Sequence, residues 1–161
     1  MMNENYTIRA PETQAEWDII PALLRDYHRE FNDDTCFTSF DAEMADISGV
    51  YSSPGSHLII AVENKTMQIA GCVAMRSLSP DIAEMKRLYV VPSHRGIQLG
   101  KKLAVGIINY ATENNYSRML LDTMHTMSAA QELYRLLGFH LIGAYNDQDL
   151  LKVACFEKML S

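Results

Sequence analysis

The chain is 161 residues long, 48% apolar and 21% charged, with a formal net charge of −6 at pH 7. That length suits one hydrophobic core spanning residues 1–161, and the composition excludes wholesale disorder, a collagen-like repeat and a membrane bundle. The acidic balance argues against a nucleic-acid partner. Residues 1–50 hold 11 acids and 3 bases, net −8, whereas residues 51–161 hold 9 acids and 11 bases, net +2.

Tyr6–Arg9 alternates and stops at Pro11, which predicts a short first strand. Thr13 is placed to cap a helix from Gln14 onward, with Glu16 completing a capping box. Trp17, Ile20, Leu23, Leu24, Tyr27 and Phe31 form its apolar stripe. Phe40–Ile47 predicts a second, shorter helix with Ser39 as its cap, followed by a turn over residues 52–56. His57–Glu63 and Met67–Leu78 read as two strands in a hairpin, and Ile82–Val91 as a third after the turn at Pro80-Asp81. Gly96–Asn114 is helical in period, Arg118–Thr123 a strand, and Ser128–Leu137 a helix stopped by Gly138. His140–Ala144 and Val153–Leu160 supply two last strands. The order β-α-α-β-β-β-α-β-α-β-β predicts an α/β fold with a mixed sheet of about seven strands and helices on both faces.

Cys36, Cys72 and Cys155 are odd in number and widely spaced, which suits free thiols in a reducing compartment. No apolar run approaches the roughly 18 residues of a membrane span, and the opening MMNENYTIRAP lacks the basic and apolar regions of a signal peptide. A cytoplasmic protein without a membrane partner is the expectation. His28, His57, His94, His125 and His140 show no ligand spacing, so no metal is expected.

Chemistry concentrates in Glu84–Leu103, where a strand passes through a Pro-bounded turn into a Gly-punctuated helix start. Lys86, Arg87, Arg95, Lys101 and Lys102 place five of the 14 bases there against one acid. Amides at a helix start lack intrahelical partners and receive phosphates, and Gly96 and Gly100 let a pyrophosphate approach the main chain. The spelling fails both the P-loop and the dinucleotide fingerprint. In IAEMKRLY, strand alternation puts Glu84, Lys86 and Leu88 on one face and Met85, Arg87 and Tyr89 on the other.

The stretch resembles the pyrophosphate loop of the GNAT N-acetyltransferase superfamily, Gln/Arg-x-x-Gly-x-Gly/Ala, with Arg95 first, Gly100 last and Gln98 where the middle glycine is usual. EMKRLYVVPSHRG and LLDTMHTMSAAQELYRLLGF are both similar to one bacterial GNAT subgroup, in the right order and spacing. The resemblance spans nearly the whole chain, including DYHREF, FTSFDAEM and AGCVAM, and implies a GNAT-like, mostly antiparallel sheet. It implies that the backbone of Arg95, Gly96, Ile97, Gln98, Leu99, Gly100 and Lys101 holds the pyrophosphate of coenzyme A. It implies also that Leu88, Tyr89 and Val90 hold the pantetheine and acetyl carbonyl at a splayed strand. Tyr134 becomes the general acid for the departing thiolate. A carboxylate or a water chain takes the amine's proton, with Glu84 the best-placed carboxylate and a cross-strand salt bridge to Arg76 or a neighbouring base as its alternative role.

The activity so implied is acetyl transfer from acetyl-CoA to an amine of a small molecule or protein, by direct attack in a ternary complex. A weakly catalytic acyl-CoA sensor is the alternative, and a homodimer is compatible with the family. Asp33, Asp34, Asp41, Glu43 and Asp46 lie in and around the loop between the two helices that roof the acceptor site in the family. They suggest a cationic acceptor. Cys72 reads as a buried strand residue rather than an acyl carrier, and His125 as a loop histidine beyond a strand end.

Overall fold

The computed structural model describes residues 5–31 and 39–161; Asp33, Asp34 and Cys36 lie outside them. The elements are β1 (Tyr6–Arg9), α1 (Gln14–Phe31), α2 (Phe40–Ala45), α3 (Ile47–Ser52), β2 (Ser56–Glu63), β3 (Ile69–Ser79) and β4 (Ile82–Val90). After a 3₁₀ turn at Pro92–His94 come α4 (Leu99–Glu113), β5 (Arg118–Met124), α5 (Ser128–Leu136), β6 (His140–Ile142) and β7 (Val153–Met159). One seven-stranded sheet runs β1-β2-β3-β4-β5-β7-β6, antiparallel throughout except between β4 and β5. The mixed, mostly antiparallel sheet read from the sequence is the one observed. Among the described residues no helix is long and apolar enough to cross a membrane.

Helices cover both faces. On one, Ile20, Leu23 and Leu24 of α1 join Phe40, Met44, Ile47 and Tyr51 over Ile60, Cys72 and Ala74. On the other, Leu99, Leu103, Ile107 and Ala111 of α4 pack on Val73, Met75, Met85 and Leu121. The start of α1 follows its sequence signal: the Glu16 amide donates to Thr13 Oγ1 at 3.2 Å. The Glu16 carboxylate accepts from the Glu12 amide and the Arg9 guanidinium, so the box closes one residue earlier than the capping pattern requires.

Four expectations need correction. The helix expected over Phe40–Ile47 is two helices, because Asp46 at φ −143° leaves the helical region between α2 and α3. Ser39, at φ 60°, makes no side-chain cap bond. The helix expected from Gly96 begins at Leu99, because Gly96 (φ 86°) and Gln98 (φ 63°) are left-handed.

The fourth lies in β4. Cys72 pairs with Tyr89 and Ala74 with Lys86, so Arg87 and Leu88 together oppose Val73. This is a β-bulge, with Arg87 at φ 61°. It breaks the strict alternation: Lys86 and Arg87 both reach Glu43, whereas Met85 and Leu88 pack on the α4 side and Tyr89 on the α1 side. Alternation alone had placed Arg87 with Met85. The parallel ladder of β4 with β5 has three pairs, Ile82 with Arg118 to Glu84 with Leu120, and beyond them the strands part.

Candidate active site

A train of three cavities follows from that parting. The narrow middle one, about 40 Å³, lies between Met85, Lys86, Arg87 and Leu88 of β4 and Asp122 and Thr123 of β5. Tyr27, Met127 and Tyr134 close its remaining walls. On one side Tyr27, Leu88, Met127 and Tyr134 also line a cavity of about 330 Å³, together with Tyr89, Val90 and Arg95. On the other side Lys86 and Asp122 also line a cavity of about 730 Å³. The bulge and the splay thus set one slot between two sizeable spaces that share its walls.

The slot's wall on the α5 side is Tyr134, which packs on Phe139 (ring centroids 5.8 Å) and Phe156 (6.4 Å) and is 7% exposed. Its inward direction was expected from Ala130 and Leu137 on the same helix face. On the α1 side Tyr27 stacks on Tyr89 at 5.0 Å, and its hydroxyl approaches Met127 Sδ at 3.8 Å.

The smaller outer cavity opens toward the loop before α4. Arg95 lies over the Tyr89 ring, donates from Nε to the Val90 carbonyl at 2.9 Å, and pairs with Glu30 at 2.8 Å. Gly96, Ile97 and Gln98 are exposed. The first intrahelical bond of α4 runs from the Lys102 amide to Gln98, leaving the Leu99, Gly100 and Lys101 amides in an open first turn. The Leu99 side chain is buried in the core, so only its main chain is offered to that side. A Cβ at Gly96 would meet nothing within 4 Å, whereas at Gly100 it would touch Val90 and Leu133 at ordinary contact distance. Gly96 therefore answers to its positive φ. Gly100 is not demanded by its protein neighbours, which fits a position kept small for a ligand. Open amides beside Arg95 and Lys101 are chemistry that suits an anion.

The larger cavity is built from side chains distant in sequence. Glu84 lies on its wall at 4% exposure and accepts from Arg76 Nε at 2.7 Å and from the Tyr145 hydroxyl at 2.6 Å. The cross-strand bridge weighed for Glu84 is present, and its register is direct, Arg76 opposite Glu84. Each carboxylate oxygen keeps a second lone pair for another partner. Burial, then the Glu84 charge, pushes the Tyr145 hydroxyl well above its ordinary value, so it stays a donor. Glu43 receives Arg87 in a fork, Nε at 2.8 Å and Nη2 at 3.0 Å. Burial works against its charge, but the Arg87 bonds outweigh it and hold its carboxyl below the usual range. Lys86 stands 3.8 Å from the same carboxylate, and burial followed by the Arg87 charge pushes its ammonium down. Asp122 accepts from the Asn146 amide at 2.6 Å.

Of the acids expected to roof an acceptor, Glu43 lines this cavity; Asp41 pairs with Arg25 at 3.5 Å and Asp46 is exposed. Asp122, Tyr145 and Asn146 were not anticipated. The signal for Asp122 was its place at a strand end, where open α/β sheets put ligands. Cys72 is fully buried with its thiol pushed up to about 12 by burial, and His125 hydrogen-bonds the Leu150 carbonyl at 2.9 Å. Neither lines the three cavities. Among the described residues no three His, Cys, Asp or Glu side chains are grouped to hold a metal ion.

Comparison with known proteins gives one family. The model of the acetyltransferase (GNAT) family matches residues 17–139. An uncharacterized N-acetyltransferase of Schizosaccharomyces pombe is 35% identical over 146 residues, covering 90% of this chain and 89% of that protein. The N-acetylaspartate synthetase of Danio rerio is 37% identical over 110 residues, 67% of this chain and 38% of that protein. Among solved structures, an acetyltransferase of Salmonella typhimurium with its cofactor acetyl-CoA superposes with a TM-score of 0.76 at 20% identity, over 98% of this chain and 95% of that one.

Proposed function

The chain belongs to the GNAT acetyltransferase family, and on that footing we propose that it transfers an acetyl group from acetyl-CoA to an amine by direct attack in a ternary complex. The observation that carries the reading is the slot between β4 and β5, walled by Tyr134 and flanked by two outer cavities. A thioester donor and an amine acceptor entering from opposite sides would meet there.

On the donor side, the amides of residues 95–101 receive the pyrophosphate, and the main chain of Leu88, Tyr89 and Val90 receives pantetheine and the acetyl carbonyl. A fixed amide at that carbonyl makes it more electrophilic and stabilises charge developing on oxygen. Arg95 leaves Glu30 and Val90 for the phosphates as the donor enters.

On the acceptor side, the amine loses a proton toward Glu84, directly or through water, and its nitrogen bonds the acetyl carbon. The carbon–sulfur bond breaks, and Tyr134 donates its hydroxyl proton to the departing sulfur. Positioning supplies much of the rate, since the slot aligns donor and acceptor. The test is thiol release from acetyl-CoA with a panel of amines. Amine-dependent release supports transfer; an acetyl-CoA thermal shift without release supports the sensor alternative.

A further inference from the structure

Two residues line both the slot and the larger cavity, Lys86 and Asp122. Their charges are opposite, and no ion pair within 4 Å joins them among the described residues. The other charges nearby are already matched: Arg76 with Glu84 and Arg87 with Glu43, each in close hydrogen-bonded contact. Among the described residues Lys86 has one ion pair, to the Glu43 oxygen at 3.8 Å that Arg87 already engages, with the Glu84 charge farther off, and Asp122 is hydrogen-bonded by a neutral amide. One cation and one anion therefore face the acceptor side of the reaction slot with no hydrogen-bonded counter-ion among the described residues.

We propose that the acceptor is a small zwitterion, an amino acid whose carboxylate is held by Lys86 and whose amine is held by Asp122 at the slot. This deepens the transfer reading above and rests on it for the acetylation step. A half-buried ammonium is costly without a matched anion, and a ligand carboxylate supplies one. Asp122 brings the amino nitrogen to the opening between the strands. A polyamine would leave Lys86 facing more positive charge, and a dianion without an amine would face Asp122. The cavity's volume, about 730 Å³, admits a small molecule with room for water and a short side chain.

The experiment uses the twenty common free amino acids, their carboxamides and spermidine as acceptors, with turnover read as thiol release. Binding is read separately by calorimetry on the protein saturated with coenzyme A. The best amino acid should exceed its own carboxamide at least 10-fold in kcat/KM, a discrimination of about 1.4 kcal/mol. In Lys86→Gln the ratio should collapse to within twofold while the acetyl-CoA thermal shift persists, and Lys86→Arg should restore most of it. Equal use of acid and carboxamide by the wild-type protein, or a preference for spermidine, overturns the proposal. If no amine is turned over, tighter binding of an amino acid than of its carboxamide still supports the site, and the transfer reading alone fails. Equal binding, or none, overturns the site.

Discussion

The loop before α4 and the cavity lined by Glu84 lie at different ends of the β4–β5 region and are made differently. The loop from Pro92 to Lys102 offers main-chain amides, and its side chains are largely exposed. The cavity is made of side chains brought together from α2 and α3, the middle of β3, β4, β5 and residues 146–148. Recognition by backbone suits a partner whose phosphates never change. Recognition by charge-matched side chains suits a partner that differs between relatives sharing one fold.

The largest expected effect is at Glu43. Glu43→Gln removes the carboxylate that receives the buried Arg87 guanidinium in a fork, and stability should fall by about 3–5 kcal/mol. Urea unfolding measures this, and a loss below 1 kcal/mol would show that the bulge does not depend on the pair. Tyr134→Phe should lower kcat about 100-fold or more, with KM for acetyl-CoA changed less than threefold. Steady-state thiol release separates the two parameters, and an equal change in both would make Tyr134 a binding residue only.

Acid should then weaken the cavity before the loop. The Glu43 carboxyl titrates below its ordinary value in the folded chain, so its pairing stabilises fully above the unfolded value of 4.5 and is lost as pH falls below it. Urea midpoints at pH 6 and pH 3 should differ more for the wild type than for a Glu43→Gln chain that still folds. The smallest effect belongs to the loop: Gln98→Gly relieves a left-handed residue at φ 63° and should gain on the order of 0.5–1 kcal/mol. Thermal melts with and without acetyl-CoA would show whether that relaxation also tightens the donor.

The same contrast explains what could be read from the sequence. Arg95, Gly96 and Gly100 sit within six residues, and helix-start chemistry is local, so the open helix start was legible as a candidate anion site. Tyr134 was placed inward by helix period alone. The sheet followed from alternating segments and short turns. What escaped was non-local or irregular. The β4 bulge shifts Arg87 across the sheet through one residue that no period reveals, and α3 separates from α2 at a single dihedral. Tyr145 reaches Glu84 from 61 positions away, and Asn146 reaches Asp122 from 24, so the larger cavity exists only after folding.

The most direct test of transfer at the slot is thiol release from acetyl-CoA in the presence and absence of amino acids, for the wild-type chain and Tyr134→Phe. The account predicts release that requires the amine and falls at least 100-fold in the variant, with acetyl-CoA still bound by both. Wild-type protein that binds acetyl-CoA and releases no thiol with any amine would contradict it.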